Sequence, residues 1–180
     1  MGTDATALAE LAARTFNETF AANNRPEDMA LHSADAYGES QQHAELNDPD
    51  VTTLLTEIEG QLAGFAQLRS GITPECVTGE DPMELWRFYI AQPWHGQGIA
   101  QALMQRVESE VRMRGARTLW LGVWERNERA KAFYRKNGFS DVGSHEYMLG
   151  TDAQTDRIMV RFLQTKPHPR HASFRSSESS

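Results

Sequence analysis

A chain of 180 residues is long enough for one domain with a full hydrophobic core and too short for two domains of ordinary size. Its 39% hydrophobic and 24% charged residues exclude a fibrous or largely disordered protein. Its single cysteine, Cys76, excludes an intrachain disulfide and a cysteine-based metal site. We expect one domain over residues 1–165 and a mobile polar tail over residues 166–180.

The sequence shows no sign of a membrane span or a secretion signal. No window reaches the roughly 18 uninterrupted apolar residues of a membrane helix. Residues 1–12 have neither a basic start nor an apolar core, the two features of a signal peptide. We therefore expect a cytoplasmic protein that has no membrane partner.

The net charge of −7 is distributed unevenly along the chain. Residues 1–60 hold twelve acidic and two basic residues, a net charge of −10. This balance argues against nucleic acid as a partner and suits a cationic ligand. Solvated acidic helix faces would give the same count.

The first third of the chain has the pattern of helices. Apolar residues three and four positions apart predict an amphipathic helix over residues 5–20. Pro26 followed by two acids predicts the start of a second helix that ends near Ala36. The stretch "ESQQHAEL" predicts a short third helix.

The rest of the chain combines strands with two further helices. The stretch "VTTLLTEIEGQLAGFAQLRS" predicts a hairpin of two strands, about Val51 to Ile58 and Leu62 to Leu68, around Glu59-Gly60. Downstream we expect a strand at "MELWRFYI", a helix from Gly98 to before Gly115, a strand at "TLWLGVW", a helix in "NERAKAFYRKNGF" and closing strands at "SDVGSHEYML" and "DRIMVRFL". This order predicts a mixed α/β (α+β) fold.

Two glycines lie between a predicted strand and a predicted helix, in "IAQPWHGQGIAQALM". Backbone N–H groups at such a helix start bind anions, and Gly96 and Gly98 allow ligand oxygens to approach the backbone. A Walker loop requires Gly-Lys, which the chain lacks. A dinucleotide loop requires a third glycine where Gln101 stands, although Glu125 suits that reading. The loop alone leaves a dinucleotide site and a ligand-free turn open beside a phosphate site.

Two motifs together resemble the GNAT superfamily of N-acetyltransferases. The stretch "HGQGIA" is similar to the family's acetyl-CoA loop, Arg/Gln-x-x-Gly-x-Gly/Ala, with His95 in place of arginine or glutamine. The stretch "NERAKAFYRKNGF" is similar to the family signature Asn-x-x-Ala-x-x-Phe-Tyr-x-Lys-x-Gly-Phe. The resemblance covers about residues 51–163. It implies a mixed, mostly antiparallel central sheet flanked by helices, and direct acetyl transfer from acetyl-CoA to an amine without a metal.

The resemblance also implies a coenzyme-binding set. The end of the third strand would offer backbone groups to the pantetheine arm, the glycine loop would hold the pyrophosphate, and the following helix would add contacts. These residues are Phe88, Tyr89, Ile90, His95, Gly96, Gln97, Gly98, Ile99, Ala100, Asn127, Ala130 and Lys136.

Two residues are candidates for proton transfer. Tyr134 is the candidate general acid, because a phenol of pKa about 10 can protonate a thiolate. Periodicity alone favours an ordinary half-buried core tyrosine there. Glu84 is the candidate base: histone-modifying members carry a glutamate six residues before the strand end, and alternation places it on one face with Trp86, Phe88 and Ile90. Deprotonation of the amine through ordered water is the alternative.

A closer resemblance concerns the acceptor. The stretches "TFNETFAANNRPEDM", "LGVWERNERAKAFYRKNGF" and "TDAQTDRIMV" are similar to PaiA-type polyamine acetyltransferases. We therefore expect a polyamine such as spermidine or spermine as the acceptor. A peptide or protein amine, or a non-catalytic coenzyme-binding regulatory module, are the alternatives.

One departure from the family concerns the first strand. Relatives usually begin with a strand, whereas this sequence begins practically at the first helix. Either the strand is absent or the sequence starts beyond it. The sheet edge left unpaired would be open to a partner chain, so a homodimer is one expectation.

Overall fold

The protein is described here by a computed structural model, which covers the backbone of residues 2–163 and the side chains of residues 5–163. The predicted tail, residues 166–180, lies outside the described residues. The helices are α1 (Gly2–Phe20), α2 (Pro26–Tyr37), α3 (Glu39–Leu46), α4 (Ile99–Met113) and α5 (Glu128–Lys136), with short 3-10 turns at Ala21–Asn23 and Gln92–Trp94. The strands are β1 (Val51–Ile58), β2 (Gln61–Arg69), β3 (Pro82–Ile90), β4 (Thr118–Trp124), β5 (Ser140–Leu149) and β6 (Asp152–Phe162).

One six-stranded sheet organises these elements, in the order β1-β2-β3-β4-β6-β5. Every neighbouring pair is antiparallel except β3 and β4, which run parallel. The predicted mixed, mostly antiparallel sheet flanked by helices is confirmed, and so is the predicted order of the elements.

The hairpin turn between β1 and β2 follows from its two residues. Glu59 and Gly60 both have positive φ, of 52° and 76°. Positive φ at both central positions is the requirement of the two-residue turn whose twist matches that of paired strands. Val51 to Ile58 then pairs with β2 only, so the outer edge of β1 has no partner strand among the described residues. A homodimer through this edge stays a prediction.

Helices cover both faces of the sheet. On one face, α4 contributes Leu103, Val107 and Val111, spaced four residues apart, to a core shared with β3, β4 and α5. On the other face, α1 contributes Leu8 and Phe16 to a second core. We call these the α4/α5 face and the α1/α2 face. No helix among residues 2–163 is long and apolar enough to cross a membrane.

A β-bulge in β3 breaks its regular alternation. Arg87 pairs with Gln67 and Leu85 pairs with Leu68, so Trp86 is an extra residue in β3. Side chains before and after the bulge are therefore out of phase.

A buried polar cluster joins α3 to the centre of the sheet. Arg87 Nη1 donates to Glu45 Oε2, and also to Gln67 Oε1 at 2.6 Å. The side chains of Arg87 and Glu45 are only 7% and 5% exposed. A second donor of Arg87 reaches the carbonyl oxygen of Ala36 at 3.2 Å. Because the charges compensate each other, α3 can lie against the sheet without an apolar contact at this point.

Glu45→Ala is expected to lower the free energy of unfolding by about 3 to 5 kcal/mol, since it leaves the Arg87 guanidinium buried without its counter-charge. Glu110→Ala is the matched control, because Glu110 pairs with Arg114 on the surface of α4. Its loss is expected to cost no more than about 0.5 kcal/mol. Urea unfolding of the two variants measures the difference, and equal costs would contradict a buried pair.

Candidate active site

The loop between β3 and α4 is shaped by two glycines. Gly96 and Gly98 have φ of 78° and 80°, in the left-handed region that other residues avoid. Apart from its neighbours in the chain, no described residue has an atom within 4 Å of the place where a Cβ would stand on either glycine. The positive φ of the backbone thus requires glycine at both positions. The absence of side chains leaves open space beside the loop.

This path leaves six successive N–H groups without an acceptor. From Gly96 to Gln101 no backbone N–H donates to any acceptor among the described residues, and no side chain caps the start of α4. The helix behind these groups is 15 residues long, and its dipole favours an anion at this end. The predicted segment His95, Gly96, Gln97, Gly98, Ile99 and Ala100 therefore forms a site suited to phosphate oxygens.

His95 does not point into this site. Its Nε2 lies 2.7 Å from the carbonyl oxygen of Ile90, and because a carbonyl only accepts, Nε2 carries the proton. The imidazole thus ties the start of the loop to the last residue of β3. Of the backbone groups predicted to bind the pantetheine arm, the carbonyl of Ile90 already accepts this hydrogen bond.

The sheet opens beside this loop. β3 and β4 pair only from Pro82↔Thr118 to Glu84↔Trp120, although both strands continue. Phe88, Tyr89 and Ile90 lie beyond the last pair, and their edge towards β4 has no strand partner within the part of the chain that the structure describes. We call this the splayed gap. An extended chain with amide groups could use the free backbone of such an edge.

Tyr134 lies at the splayed gap on the α4/α5 face. Its ring contacts those of Phe88, Phe133 and Phe139, with centroids 6.3, 5.6 and 5.6 Å away. The side chain is 8% exposed, and burial raises the pKa of its phenol. The raised pKa keeps the hydroxyl protonated, and no group among the described residues hydrogen-bonds it, so it is available as a donor.

Glu84 is not near Tyr134, which corrects the face expected for it. The bulge at Trp86 places Phe88 and Ile90 on the α4/α5 face with Leu85, so Glu84 is on the opposite side. Its carboxylate forms an ion pair with Arg69 at 2.5 Å. It forms the last pair of β3 with β4, directly before the splayed gap begins. Its carboxylate is already engaged by the Arg69 guanidinium, and a role for Glu84 as the base stays a prediction.

The remaining predicted contacts have mixed positions. The side-chain oxygen of Asn127 accepts from the N–H of Ala130 at 3.1 Å and so caps α5. Lys136 is exposed at the end of α5 and forms no ion pair with a described residue. Gln101, which the motif did not single out, donates to Asn137 Oδ1 at 2.8 Å and joins the start of α4 to the end of α5.

Several titratable side chains lie near the splayed gap on the α1/α2 face, and of these the sequence marked only Tyr89, for its backbone groups. Tyr89 stacks on Phe65 at 5.6 Å, and burial, with Tyr37 next, raises its pKa well above the ordinary value. The hydroxyl of Tyr147 on β5 lies 3.0 Å from a ring nitrogen of His32 on α2. No local motif marks Tyr147 or His32, because strand pairing and helix packing bring them together.

Asp156 on β6 belongs to the same face. Burial raises the pKa of its carboxyl to about 6. A raised value indicates that the charged form is held in a poorly solvated place. The described residues contain no cluster of three or more His, Cys, Asp or Glu arranged around a metal ion.

Comparisons with known proteins agree with this architecture. The chain matches the model of the acetyltransferase (GNAT) family over residues 7–139. An uncharacterized N-acetyltransferase of Mycobacterium tuberculosis is 37% identical over 163 residues, which cover 89% of this chain and 99% of that protein.

Solved structures share the fold at lower identity. The PaiA N-acetyltransferase of Thermoplasma acidophilum in complex with coenzyme A has a TM-score of 0.71 at 20% identity, over 90% of this chain and 94% of that one. The ribosomal-protein-S18-alanine N-acetyltransferase of Escherichia coli has a TM-score of 0.65 at 21% identity, over 96% and 94%. Because the family model and the mycobacterial relative both span most of the chain, this protein belongs to the GNAT family of acetyltransferases and is an N-acetyltransferase that uses acetyl-CoA.

Proposed function

We propose that this enzyme acetylates a small cationic primary amine, with a polyamine such as spermidine or spermine as the favoured acceptor. The observation that carries the proposal is the splayed gap, which the free amides of the glycine loop and the Tyr134 hydroxyl both adjoin. The cytoplasmic location expected from the sequence is part of the proposal.

The residues present fit acetyl-CoA. In the proposed arrangement the amides of residues 96–101 hold the pyrophosphate, and the free edge of β3 at Phe88 to Ile90 holds the pantetheine arm. Ala130, Asn127 and Lys136 on α5 flank the same coenzyme. Bound acetyl-CoA supplies an activated acetyl group on a thiol leaving group. The protein orients the acceptor against it and provides the proton that the leaving thiol needs.

The acceptor's class is inferred from charge. Of the twelve acids in residues 1–60, Asp28 and Glu45 are neutralised internally, by Arg25 and by Arg87. Most of the others are exposed on α1, α2 and α3 or the turns beside them, on the side of the sheet opposite to α4. A surface of one sign raises the local concentration of a polycation. The resemblance to PaiA-type enzymes supports the same class.

Gly98→Ala tests the glycine loop. An alanine at positive φ costs about 1 to 2 kcal/mol of stability, and a methyl group in the open space above the loop obstructs a phosphate. Gly115→Ala is the matched control: Gly115 follows the other end of α4, with φ of 79° and equally open space. We expect equal destabilisation, but only Gly98→Ala should raise the Kd for acetyl-CoA, by about tenfold or more, or about 1.4 kcal/mol. Isothermal calorimetry measures the Kd for acetyl-CoA in both variants. An unaltered Kd in both would mean that the coenzyme does not bind at the glycine loop.

Tyr134→Phe tests the general acid. We expect kcat to fall by about 10² or more, because removal of an acid or base usually costs this much. Since burial raises the pKa of Tyr134, its hydroxyl is protonated throughout pH 6 to 9, and the defect should not change with pH over that range. The Kd for acetyl-CoA serves as the control and should be unchanged. Full kcat in this variant at every pH would remove Tyr134 from the mechanism.

An acceptor panel tests the proposed substrate. Thiol release is followed with spermidine, a lysine peptide and an aminoglycoside, each at low and high salt. We expect the highest kcat/KM for spermidine and a decrease of kcat/KM with salt, because screening weakens attraction to the acidic surface. Preference for the peptide would make the enzyme a peptide or protein acetyltransferase. Acetyl-CoA binding without turnover of any amine would indicate a non-catalytic module.

A further inference from the structure

Asp156 lies on β6 with its side chain on the α1/α2 face. Its cross-strand neighbours are Trp124 on β4 and His145 on β5. The ring of Trp124 contacts Phe20 of α1 at 5.8 Å between centroids, which fixes the face. Tyr134 is on the α4/α5 face, so the two groups approach β4 from opposite sides.

The carboxylate of Asp156 occupies space that Gly122 leaves free. A Cβ on Gly122 would lie 3.2 Å from Asp156 Oδ2 and 3.4 Å from His145 Cε1. Gly122 is the second residue after Trp120, the last residue of β4 that pairs with β3. The carboxylate therefore lies over β4 where the sheet has opened, at the splayed gap.

This carboxylate has no hydrogen-bond or ion-pair partner in the described part of the chain, although the nearby His145 opposes the rise of its pKa. Other carboxylates with limited exposure have such a partner: Asp28 pairs with Arg25, Glu45 with Arg87, and Asp141 with Arg157. Asp156 is half-buried and forms neither a hydrogen bond nor an ion pair there. Burial of a charge without a partner is unfavourable, so its retention beside a reactive opening indicates a functional role.

Charged and titratable neighbours face Asp156 from three elements. On β5 these are His145 and Tyr147, and the charge of Asp156 contributes to the raised pKa of Tyr147. On α2, His32 and Tyr37 stand behind Tyr147.

The third element is β4, whose facing residues Gly122 and Trp124 carry no charge. The exposed Glu125 follows directly after them. Among the described residues no lysine or arginine pairs with Asp156. An ammonium group that enters the gap can therefore pair with its carboxylate.

We propose that Asp156 receives the ammonium group of the acceptor at the splayed gap and takes up the proton that this group loses before attack. This inference rests on the proposed function, since it requires an amine substrate. It gives the reaction a base other than Glu84, whose carboxylate pairs with Arg69.

The protons balance as follows. The ammonium transfers one proton to the Asp156 carboxylate and becomes a neutral amine. The nitrogen lone pair forms the C–N bond with the acetyl carbon as the C–S bond breaks, and Tyr134 gives its proton to the departing sulfur. The second proton of the amine returns to Tyr134 through solvent, and Asp156 releases its own proton to water.

The test compares kcat/KM for spermidine in the parent enzyme, Asp156→Asn and Asp50→Asn between pH 5 and 9. Asp50 is exposed at the far edge of the sheet, and its side chain forms no hydrogen bond or ion pair with a described residue. Ionisation of spermidine is common to all three proteins and cancels in ratios of kcat/KM. We expect the parent to exceed Asp156→Asn by about 10² to 10⁴ above pH 7, and the ratio to fall as pH decreases through about 6. Asp50→Asn should match the parent throughout.

A second measurement does not depend on turnover. Carboxyl ¹³C resonances of the free enzyme should include one that titrates near pH 6 and is absent from Asp156→Asn. His145→Gln should preserve that resonance and keep the rate ratio dependent on pH. Titration of Asp156 near pH 4, the ordinary value for aspartate, would contradict the proposal.

Stability distinguishes a chemical defect from misfolding. The folded-state pKa of Asp156 is raised, so its ionised form is disfavoured on folding, and this penalty is present above pH 6. Asp156→Asn, which carries no charge there, should be at least as stable as the parent at pH 8 in urea. If the parent turns over spermidine but the ratio of its kcat/KM to that of Asp156→Asn does not change with pH, the role of Asp156 is wrong and the proposed function stands. A parent inactive on every amine would overturn the proposed function together with the role of Asp156.

Discussion

The interruption of pairing between β3 and β4 is the constraint on which the site depends. Parallel strands placed side by side normally continue their ladder, yet here it ends at Glu84 and Trp120. Each strand stays ordered because its other edge is paired, β3 with β2 and β4 with β6. The sheet can therefore expose backbone groups in its interior without losing its strands, which an isolated pair could not do.

The residues proposed to bind the coenzyme and those proposed to bind the amine lie on opposite faces of the sheet at this gap. The α4/α5 face carries the glycine loop and Tyr134, held together through Gln101 and Asn137. The α1/α2 face carries the acidic helices and the titratable side chains of Tyr89, Tyr147 and His32. His95 adds a link along the chain, because its bond to the Ile90 carbonyl couples the loop to the free end of β3. A coenzyme and an amine can thus reach one point from opposite sides without competing for the same surface.

Local patterns predicted the fold and the backbone path of the glycine loop in the candidate site. Helix periodicity, the Glu59-Gly60 turn and the two glycines act within a few residues, so the sequence shows them directly. Glu84 was misplaced because a single extra residue at Trp86 reverses the alternation of a strand, and a bulge leaves no reliable mark in one sequence. Asp156 and Tyr147 were missed because their surroundings come from strands and helices distant in sequence.

Burial acts on Tyr134 and Asp156 in the same direction, yet it favours opposite proton states. Loss of solvation raises both pKa values. Because a phenol starts above neutral pH, raising its pKa keeps Tyr134 protonated and able to donate. Because a carboxyl starts far below neutral pH, a rise to about 6 leaves Asp156 ionised at pH 7 and able to accept. Deeper burial of Asp156 would raise its pKa further and protonate it before the amine arrives, so its half-buried position beside Gly122 suits a group that must accept a proton at neutral pH.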